Sequence, residues 1–492
     1  MAGRALSRCL VLLPALLPGL LFVPSGSEAV DVEVASVRVS IPEDSIVADG
    51  SFEGGTSAFT SGPNRKARIV AHDLAPHGSQ VLEVTPRRRG DFGIDDWPGA
   101  VTDAVARAPY RATAYVAGTG DQVGRTVSLT VRLTGSDGST LLVEESRPVV
   151  LGEGFQRLQA TLTPRDHGGH IDVFVSGRAG RPKGGSLLVD AVTLTQGIPV
   201  PSGFTYDDEV FRERFGEEPG YDLLDSWNFG LADNRSAGNP WSGTGEFPYW
   251  GSGTKGWAPD CDYGTPSEEY NLPTQITQSS TNAPHDAFDE SGTGLRITIE
   301  PRTSMPNGCL YTWVSGALNT RAKHEFGGDG KTFFVQVRAR MPYVLVDGER
   351  VANGTWGSIW LLPGAGSGQS NAVEVDLMEG GYLVDGVDPL RVIASNLHTS
   401  PYQVVKDSGV DLSDGYHTYG AKLDTATGQV NLYLDGQEYA SYSNGPRSPM
   451  FLLLNAHVAN VNAMHWHSQV VDEAAPSDMV VSEVRVFERP HE

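Results

Sequence analysis

The sequence reads Asn-Ala-Val-Glu-Val-Asp-Leu-Met-Glu-Gly-Gly over residues 371–381, a strand-like apolar pattern that carries three acids. Glu374 and Asp376 are two residues apart, so on a β-strand their side chains share one face and the apolar residues take the other. Glu379 is five residues from Glu374 and would point away from it in a regular strand. A one-residue β-bulge at Leu377-Met378 returns Glu379 to the face of the other two acids. The stretch therefore predicts a bulged strand with three carboxylates on one side.

Three clustered carboxylates repel one another, and such a cluster is typical of a chemical site. With the bulge included, Glu374 and Glu379 lean toward each other, and their carboxyl groups could approach the roughly 5–5.5 Å used by retaining glycosidases. Repulsion between the two glutamates, with Asp376 between them, raises the pKa of the one that must hold a proton. A solvated acidic face and a calcium site are the alternative interpretations.

The pattern Glu374-x-Asp376-x-x-Glu379 resembles the signature of glycoside hydrolase family 16 in its bulged form. Further stretches resemble the strands of that family in order across about 210–490: residues 311–320, 354–363, 416–419, 430–436, 451–455 and 481–486. The resemblance implies a β-jelly roll of two curved antiparallel sheets with a substrate cleft on the concave face. It also implies that Glu374 is the nucleophile, Asp376 its helper and Glu379 the general acid/base.

The resemblance also implies a set of substrate-binding residues. It predicts that Trp356 and Trp360, four residues apart and so on one strand face, stack on sugars, with core packing as the alternative. It places His398 beside the acids, with an ordinary strand histidine as the alternative. Asn319 is a further candidate. Trp466 is a candidate because loop aromatics often serve binding, and the other loop tryptophans are Trp241, Trp250 and Trp257.

The sequence departs from the family pattern at several places, which leaves the polymer open: Gly357-Ser358, Ala317, Lys422-Leu423 and Ser482. We expect a β-1,3-glucan (laminarin-like) substrate, because residues 200–492 carry a net charge of −21 and would repel sulfated chains. The alternatives are an endo-β-galactan hydrolase of the agarase kind and a transglycosylase using the same residues. A non-catalytic glucan-binding protein is the alternative outside enzymes.

Length and composition predict an all-β protein of more than one domain. The chain has 492 residues, and its 58 glycines and 31 prolines show no period, which favours many turns between short strands. Prolines and glycines cluster at 197–203, as in a linker. We predict a β-sandwich over residues 30–197, a linker over 198–209 and the jelly roll over 210–492.

Residues 30–197 resemble carbohydrate-binding modules of families 4 and 9 at both ends of the region. The resemblance rests on 47–55 and 188–192 and implies a structural calcium ion held by Glu53 and Asp190. No cofactor is expected for catalysis. Flat aromatic rings that could carry a sugar are few in this region, and most could equally be core: Phe59, Phe92, Trp97, Tyr110 and Tyr115.

Residues 1–29 read as a secretory signal, with Arg4 and Arg8 before a short apolar run and small residues near Ala29. The mature protein is therefore expected to be secreted and monomeric, with a polysaccharide as its partner. The net charge of −23 argues against nucleic acid or an anionic membrane as the main partner. In an oxidising compartment Cys261 and Cys309 are expected to form a disulfide, with two free thiols as the alternative.

Overall fold

A computed structural model describes most of the chain from residue 38 onward. The described residues are 38–39, 41, 45–55, 59, 65–86, 90–96, 99–179, 184–215, 226–229, 269–271, 288–289, 294–304, 311–321, 323–364, 373–398, 403–459 and 465–491. Ser36–Glu492 form one compact unit. The proposed signal sequence lies outside the described residues.

The first half of the described chain consists of two packed β-sheets. Their strands are β1 (Arg65–Ala71), β2 (Gln80–Pro86), β3 (Gly90–Asp95), β4 (Tyr110–Gly118), β5 (Thr126–Thr134), β6 (Thr140–Glu145), β7 (Val149–Val150), β8 (Gln156–Leu162), β9 (His170–Ala179) and β10 (Leu187–Gln196). One sheet has the order β1-β2-β10-β4-β8, and the other has the order β3-β9-β5-β6 with β7 paired to β5. All these pairings are antiparallel.

The second half is built from two larger sheets and a small hairpin. Its strands are β11 (Glu209–Arg214), β12 (Asn228–Phe229), β13 (Glu269–Asn271), β14 (Phe288–Asp289), β15 (Leu295–Ser304), β16 (Tyr311–Ser315), β17 (Ala317–Asn319), β18 (Lys331–Arg340), β19 (Val344–Val346), β20 (Glu349–Val351), β21 (Thr355–Pro363), β22 (Val375–Glu379), β23 (Val392–Leu397), β24 (Gln403–Asp407), β25 (His417–Asp424), β26 (Gln429–Leu434), β27 (Gln437–Tyr442), β28 (Met450–Val458) and β29 (Ser477–Pro490). The seven-stranded sheet has the order β12-β17-β28-β21-β22-β23-β24. The ten-stranded sheet runs β13-β16-β15-β29-β18-β25-β26-β27, with β11 beside β29 and β14 beside β15.

Each half has its own apolar core, as alternating strand patterns require. The first core gathers inward residues of both smaller sheets, such as Val116 and Val131. The second gathers inward residues of both larger sheets, such as Val337 and Leu454. Two successive β-sandwiches, the second with the two-sheet architecture of a jelly roll, confirm the predicted fold class.

Two of the aromatic candidates of the first sandwich belong to its interior. Phe59 and Tyr110 are buried in its core. The Tyr110 hydroxyl accepts from the Val105 N–H at 2.9 Å and donates to Gln196 at 3.1 Å. Among the described residues these two rings therefore serve packing. Trp97 lies outside the described residues.

Residues 198–209, predicted as a linker, are packed against both sandwiches. Ile198, Val200 and Phe204 are buried. Phe204 contacts the rings of Phe334 and Phe487 in the second sandwich. Its carbonyl accepts a hydrogen bond from Arg107 of the first. This segment is thus part of the packed structure, and its role as a domain boundary stays a prediction.

Helical structure is minor in the described residues. It includes three 3₁₀ turns: Gly120–Gln122, Tyr206–Asp208 and Pro389–Arg391. Within the described part of the chain, no helix is long and apolar enough to cross a membrane.

Candidate functional site

The acid-bearing strand β22 contains the predicted bulge. It pairs with β21 so that Ile359 faces Met378 and Trp360 faces Asp376, which leaves Leu377 as the extra residue. The register against β23 shifts over the same interval, between Asp376 and Glu379. The structure therefore confirms a one-residue bulge at this place.

Because of the bulge, the side chains of all three acids lie on the sheet face opposite the core. Val375, Leu377 and Met378 enter the core between the two large sheets. In β21 the core residues are Ile359 and Leu361. Ser358 and Trp360, which alternate with these core residues, are on the opposite face. There Ser358 is the cross-strand neighbour of Glu379, and Trp360 is the cross-strand neighbour of Asp376.

Glu374 and Asp376 share one histidine as a partner. The His398 Nε2 atom lies 3.3 Å from Glu374 Oε1 and 3.1 Å from Asp376 Oδ2. His398 follows β23, the strand next to β22, and its side chain is 47% exposed while both carboxylates are buried. The resemblance to family 16 predicted this histidine beside the acids, and its position agrees.

Glu379 differs from the other acids because its environment favours the protonated form. Burial raises its pKa well above the usual value, and the charges of Asp376 and Glu374 raise it further. His398 and a hydrogen bond from Tyr382 act in the opposite direction without cancelling the increase. A carboxyl that keeps its proton beside ionisable neighbours is suited to general acid catalysis.

Tyr382 is a site residue that the sequence patterns did not reveal. Its hydroxyl donates to Glu379 Oε2 at 3.2 Å and accepts from Gln403 at 3.4 Å. The chain reverses after Glu379 through Gly381, whose φ is +79°. A Cβ at Gly381 would collide with the His467 ring. The Gly-Gly pair after the last acid is the sequence signal that could have indicated this reversal.

The two predicted stacking tryptophans lie on the acid-bearing face but are nearly buried. Trp356 and Trp360 are 5% and 4% exposed. The Trp360 indole N–H donates to Asn455 Oδ1 at 2.6 Å. Trp356 packs against Trp466 at 5.3 Å between ring centroids and against Tyr382 at 5.9 Å. Both rings thus contribute to packing, and stacking on a sugar stays a prediction.

Asn319 and Trp466 differ in how far their side chains are buried. Asn319 ends β17 and is 1% exposed, and its Oδ1 accepts the Arg321 N–H at 3.1 Å. Trp466 is half-buried and also contacts Tyr382 at 4.9 Å. Trp466 therefore belongs to the aromatic group that adjoins Glu379 through Tyr382.

A second polar group on this sheet face was not predicted. Asn455 and His457 of β28 contact each other through Nδ2 and Nε2. His457 also packs against Trp356 with ring centroids 5.3 Å apart. Their alternation with the buried Leu454 and Ala456 in the sequence was the available signal, because polar residues at every second position mark a strand face.

In the part of the chain that the structure describes, two groups of side chains are relevant to metal binding. The ligand atoms of Glu374, Asp376 and His398 lie within 4.8 Å of one another and could hold an ion. The imidazole contacts of 3.1–3.3 Å are, however, hydrogen-bond distances that need no ion. The calcium predicted in the first sandwich is a separate case.

Glu53 and Asp190 accept hydrogen bonds from one short loop. Glu53 Oε1 accepts from the Ser79 and Gln80 N–H groups at 2.7 and 2.6 Å. Asp190 accepts from the His77 N–H at 2.8 Å, and burial raises its pKa to about 6. The N–H donors hold both carboxylates beside the same loop. Calcium binding there stays a prediction.

Some predicted features lie outside the described residues. These are the disulfide between Cys261 and Cys309 and the loop residues Trp241, Trp250 and Trp257.

Comparisons with known proteins gave matches to solved structures alone. No family model and no curated protein matches this chain. The catalytic domain of an endo-1,3-beta-glucanase (laminarinase) from Thermotoga petrophila RKU-1 is 20% identical, with a TM-score of 0.39 over 58% of this chain and 98% of that one. A non-specific endo-beta-1,3(4)-glucanase from family GH16 is 18% identical, with a TM-score of 0.40 over 60% and 94%. An endo-beta-1,3-glucanase from Pyrococcus furiosus is 18% identical, with a TM-score of 0.39 over 57% and 93%.

Proposed function

We propose that this protein is a retaining endo-β-glycosidase that hydrolyses a polysaccharide. The observation that carries the proposal is the bulged strand β22 and the residue before it, which place Glu374, Asp376 and Glu379 on one sheet face. Burial and the two neighbouring acids favour a protonated Glu379. One ionised and one protonated carboxyl on the same face is what double displacement requires.

In the first step Glu374 attacks the anomeric carbon while the glycosidic C–O bond breaks. Glu379 gives its proton to the departing oxygen, which leaves as a hydroxyl, and a glycosyl ester of Glu374 forms. In the second step the Glu379 carboxylate takes a proton from water as the water oxygen attacks the same carbon. The ester bond breaks, Glu374 is released as a carboxylate, and Glu379 is again protonated.

Asp376 and His398 support these steps in different ways. Asp376 lies between the two glutamates and raises the pKa of Glu379. The His398 Nε2 atom contacts Glu374 and Asp376 at once, so it can hold the nucleophile in place while Asp376 keeps its charge near Glu379. His398 is half-exposed, and from that position it can also meet a bound sugar hydroxyl.

A neutral β-1,3-glucan is the substrate that we propose. Residues 200–492 carry a net charge of −21, which would repel sulfated polymers on approach. Near the acids, the half-buried Trp466 offers aromatic surface to a sugar, and it packs against the buried Tyr382. An agar-like β-galactan is the second candidate, and transfer to a sugar in place of water would use the same residues.

We also propose the setting in which the enzyme acts. The charged start and short apolar run of residues 1–29 support secretion, and the strands of residues 30–197 form a sandwich suited to an accessory module. A monomer whose partner is a polysaccharide completes the proposal.

Reducing-sugar release from laminarin, mixed-linkage glucan, agarose and carrageenan tests the function. We expect release from laminarin first, and no release from any of the four polymers would reject hydrolysis. Glu374→Gln should lower turnover by about 10³-fold or more while binding persists. Glu349→Gln, on the exposed β20, is the matched control and should act like the wild type.

If laminarin binds but neither it nor the other polymers are cut, the non-catalytic glucan-binding alternative gains support. Wild-type turnover in Glu374→Gln would reject the nucleophile assignment.

A further inference from the structure

The bulge in β22 has a specific hydrogen-bond partner from the opposite sheet. A bulge leaves the extra residue without a regular ladder partner, and here that residue is Leu377. The Leu377 carbonyl accepts a hydrogen bond from the hydroxyl of Tyr439. Tyr439 is on β27, the edge strand of the ten-stranded sheet, so this bond connects the two sheets behind the acids.

The surroundings of Tyr439 orient its ring and keep its hydroxyl a donor. The ring packs against the core, and Lys406 lies over it with Nζ 5.4 Å from the ring centroid. Burial raises the pKa of the Tyr439 hydroxyl, and the charge of Asp376 raises it further. A hydrogen bond with the Ser395 side chain lowers it without cancelling the increase. The hydroxyl therefore stays protonated at working pH and lies within electrostatic reach of the acids.

A second tyrosine on β27, Tyr442, also makes a hydrogen bond to the seven-stranded sheet, but its partner is Ser395 and not the Leu377 carbonyl. The Tyr442 hydroxyl lies 3.1 Å from Ser395 Oγ and donates to the Ser395 carbonyl at 3.3 Å. Ser395 is on β23, the strand that pairs with β22. Both tyrosine hydroxyls therefore reach Ser395, and in the described contacts Tyr439 is the one that also reaches the Leu377 carbonyl at the bulge.

We propose that Tyr439 is a positioning residue, whose hydroxyl fixes the bulge at Leu377 and thereby holds Glu374 and Glu379 on one face. It does not touch the reacting atoms. Without its hydrogen bond the strand can relax toward regular pairing, which would carry Glu379 away from Glu374 and Asp376. The expected effect of Tyr439 on turnover rests on the proposed glycosidase function. Its expected effect on the positions of Glu374 and Glu379 does not.

Tyr439→Phe tests this inference, with Tyr442→Phe as the matched control. In protein carrying ¹³C-labelled glutamate carboxyls, the Glu379 resonance is identified by its loss in Glu379→Gln. We expect Tyr439→Phe to lower the Glu379 pKa, because Glu379 moves away from the two charges that raise it. We expect kcat on laminarin to fall about tenfold to hundredfold with KM within about twofold.

Tyr442→Phe should lose a similar amount of thermal stability but keep the Glu379 titration and kcat of the wild type. A wild-type Glu379 titration in Tyr439→Phe would overturn the inference, as would the same shift in both variants. If the wild type cuts no glycan, the proposed function fails, and the carboxyl titration still decides on the positioning role.

Discussion

At the scale of single residues, the proton that we propose Glu379 donates in catalysis comes with a cost in stability. Its pKa in the folded protein is raised by burial and by Asp376 and Glu374, above the value of about 4.3 for an unfolded chain. The stability linked to this proton is complete below the unfolded pKa and is lost as pH rises through the folded pKa.

Glu379→Gln should therefore be more stable than the wild type at pH 7, because glutamine carries no charge to bury. The gain should vanish at pH 4 and below, where the carboxyl is protonated in both states. Guanidinium unfolding at the two pH values measures this difference. A variant that is less stable at pH 7, or equally stabilised at both, would show that Glu379 is not held in its neutral form.

His398 also affects the pKa of Glu379, in the direction opposite to burial and the two acids. It lowers the Glu379 pKa, although less than burial and the two acids raise it. His398→Gln should thus raise this pKa, and the alkaline limb of kcat/KM, which reports the free enzyme's acid, should move to higher pH. His491→Gln, paired with Asp424 at 3.0 Å away from the acids, should leave the limb in place. A limb that moves to lower pH contradicts this electrostatic role.

At the scale of elements, strand β22 shows which features a sequence can predict. The five-residue spacing of Glu374 and Glu379 forces a bulge if both are to share a face, and the structure has it. The strand pattern did not identify the side-chain partners of this segment: Tyr382 reaches Glu379 through a chain reversal that only the Gly-Gly pair hints at, and Tyr439 reaches Leu377 from the opposite sheet. Local period-two patterns contain neither kind of contact.

Strand β21 shows the limit of assigning a role from a shared face. The spacing of Trp356 and Trp360 places both rings opposite the core correctly, but their depth depends on neighbours from other strands. Trp360 is fixed by Asn455 of β28, a residue about a hundred positions later in the chain. Exposure of a ring is a tertiary property, and a strand pattern alone does not give it.

Trp360→Phe should lower the free energy of unfolding by about 1–3 kcal/mol, because the buried Asn455 oxygen loses its donor. Trp466→Phe, in a half-buried ring, should cost less. Chemical denaturation of both variants measures the difference, and laminarin KM reports any contact with sugar. Equal costs in the two variants would argue against the hydrogen bond as the main contribution of Trp360.

At the scale of the whole molecule, Glu483 joins residue 198 to the second sandwich. It accepts from the Ile198 N–H at 2.9 Å, and its Oε1 lies 3.0 Å from Arg214 Nε and 2.8 Å from an Arg212 nitrogen. Burial alone would raise its pKa, but Arg214, Arg212 and the N–H group outweigh burial and lower it. Its stabilising effect is therefore present above the unfolded pKa and is lost as pH falls through the folded pKa.

Glu483→Gln should destabilise the protein by about 1–3 kcal/mol at pH 7, because Arg214 and Arg212 lose the charge of a buried carboxylate partner. The difference from the wild type should shrink as the pH falls through the folded pKa of Glu483, because the wild-type carboxyl then takes up a proton. Glu488→Gln on the same strand removes a partner of the 45% exposed Lys331 and should cost about 1 kcal/mol or less. Thermal unfolding at pH 7 and pH 3 tests both variants, and equal losses would contradict the special role of Glu483.

The anomeric configuration of the first product tests the central claim most directly. Proton NMR during the first minutes of laminarin cleavage, before mutarotation, distinguishes the two anomers of the new reducing end. Double displacement through Glu374 and Glu379 predicts that the β-anomer appears first and the α-anomer only later. Initial release of the α-anomer would mean inversion and would contradict the assignment of Glu374 as a covalent nucleophile.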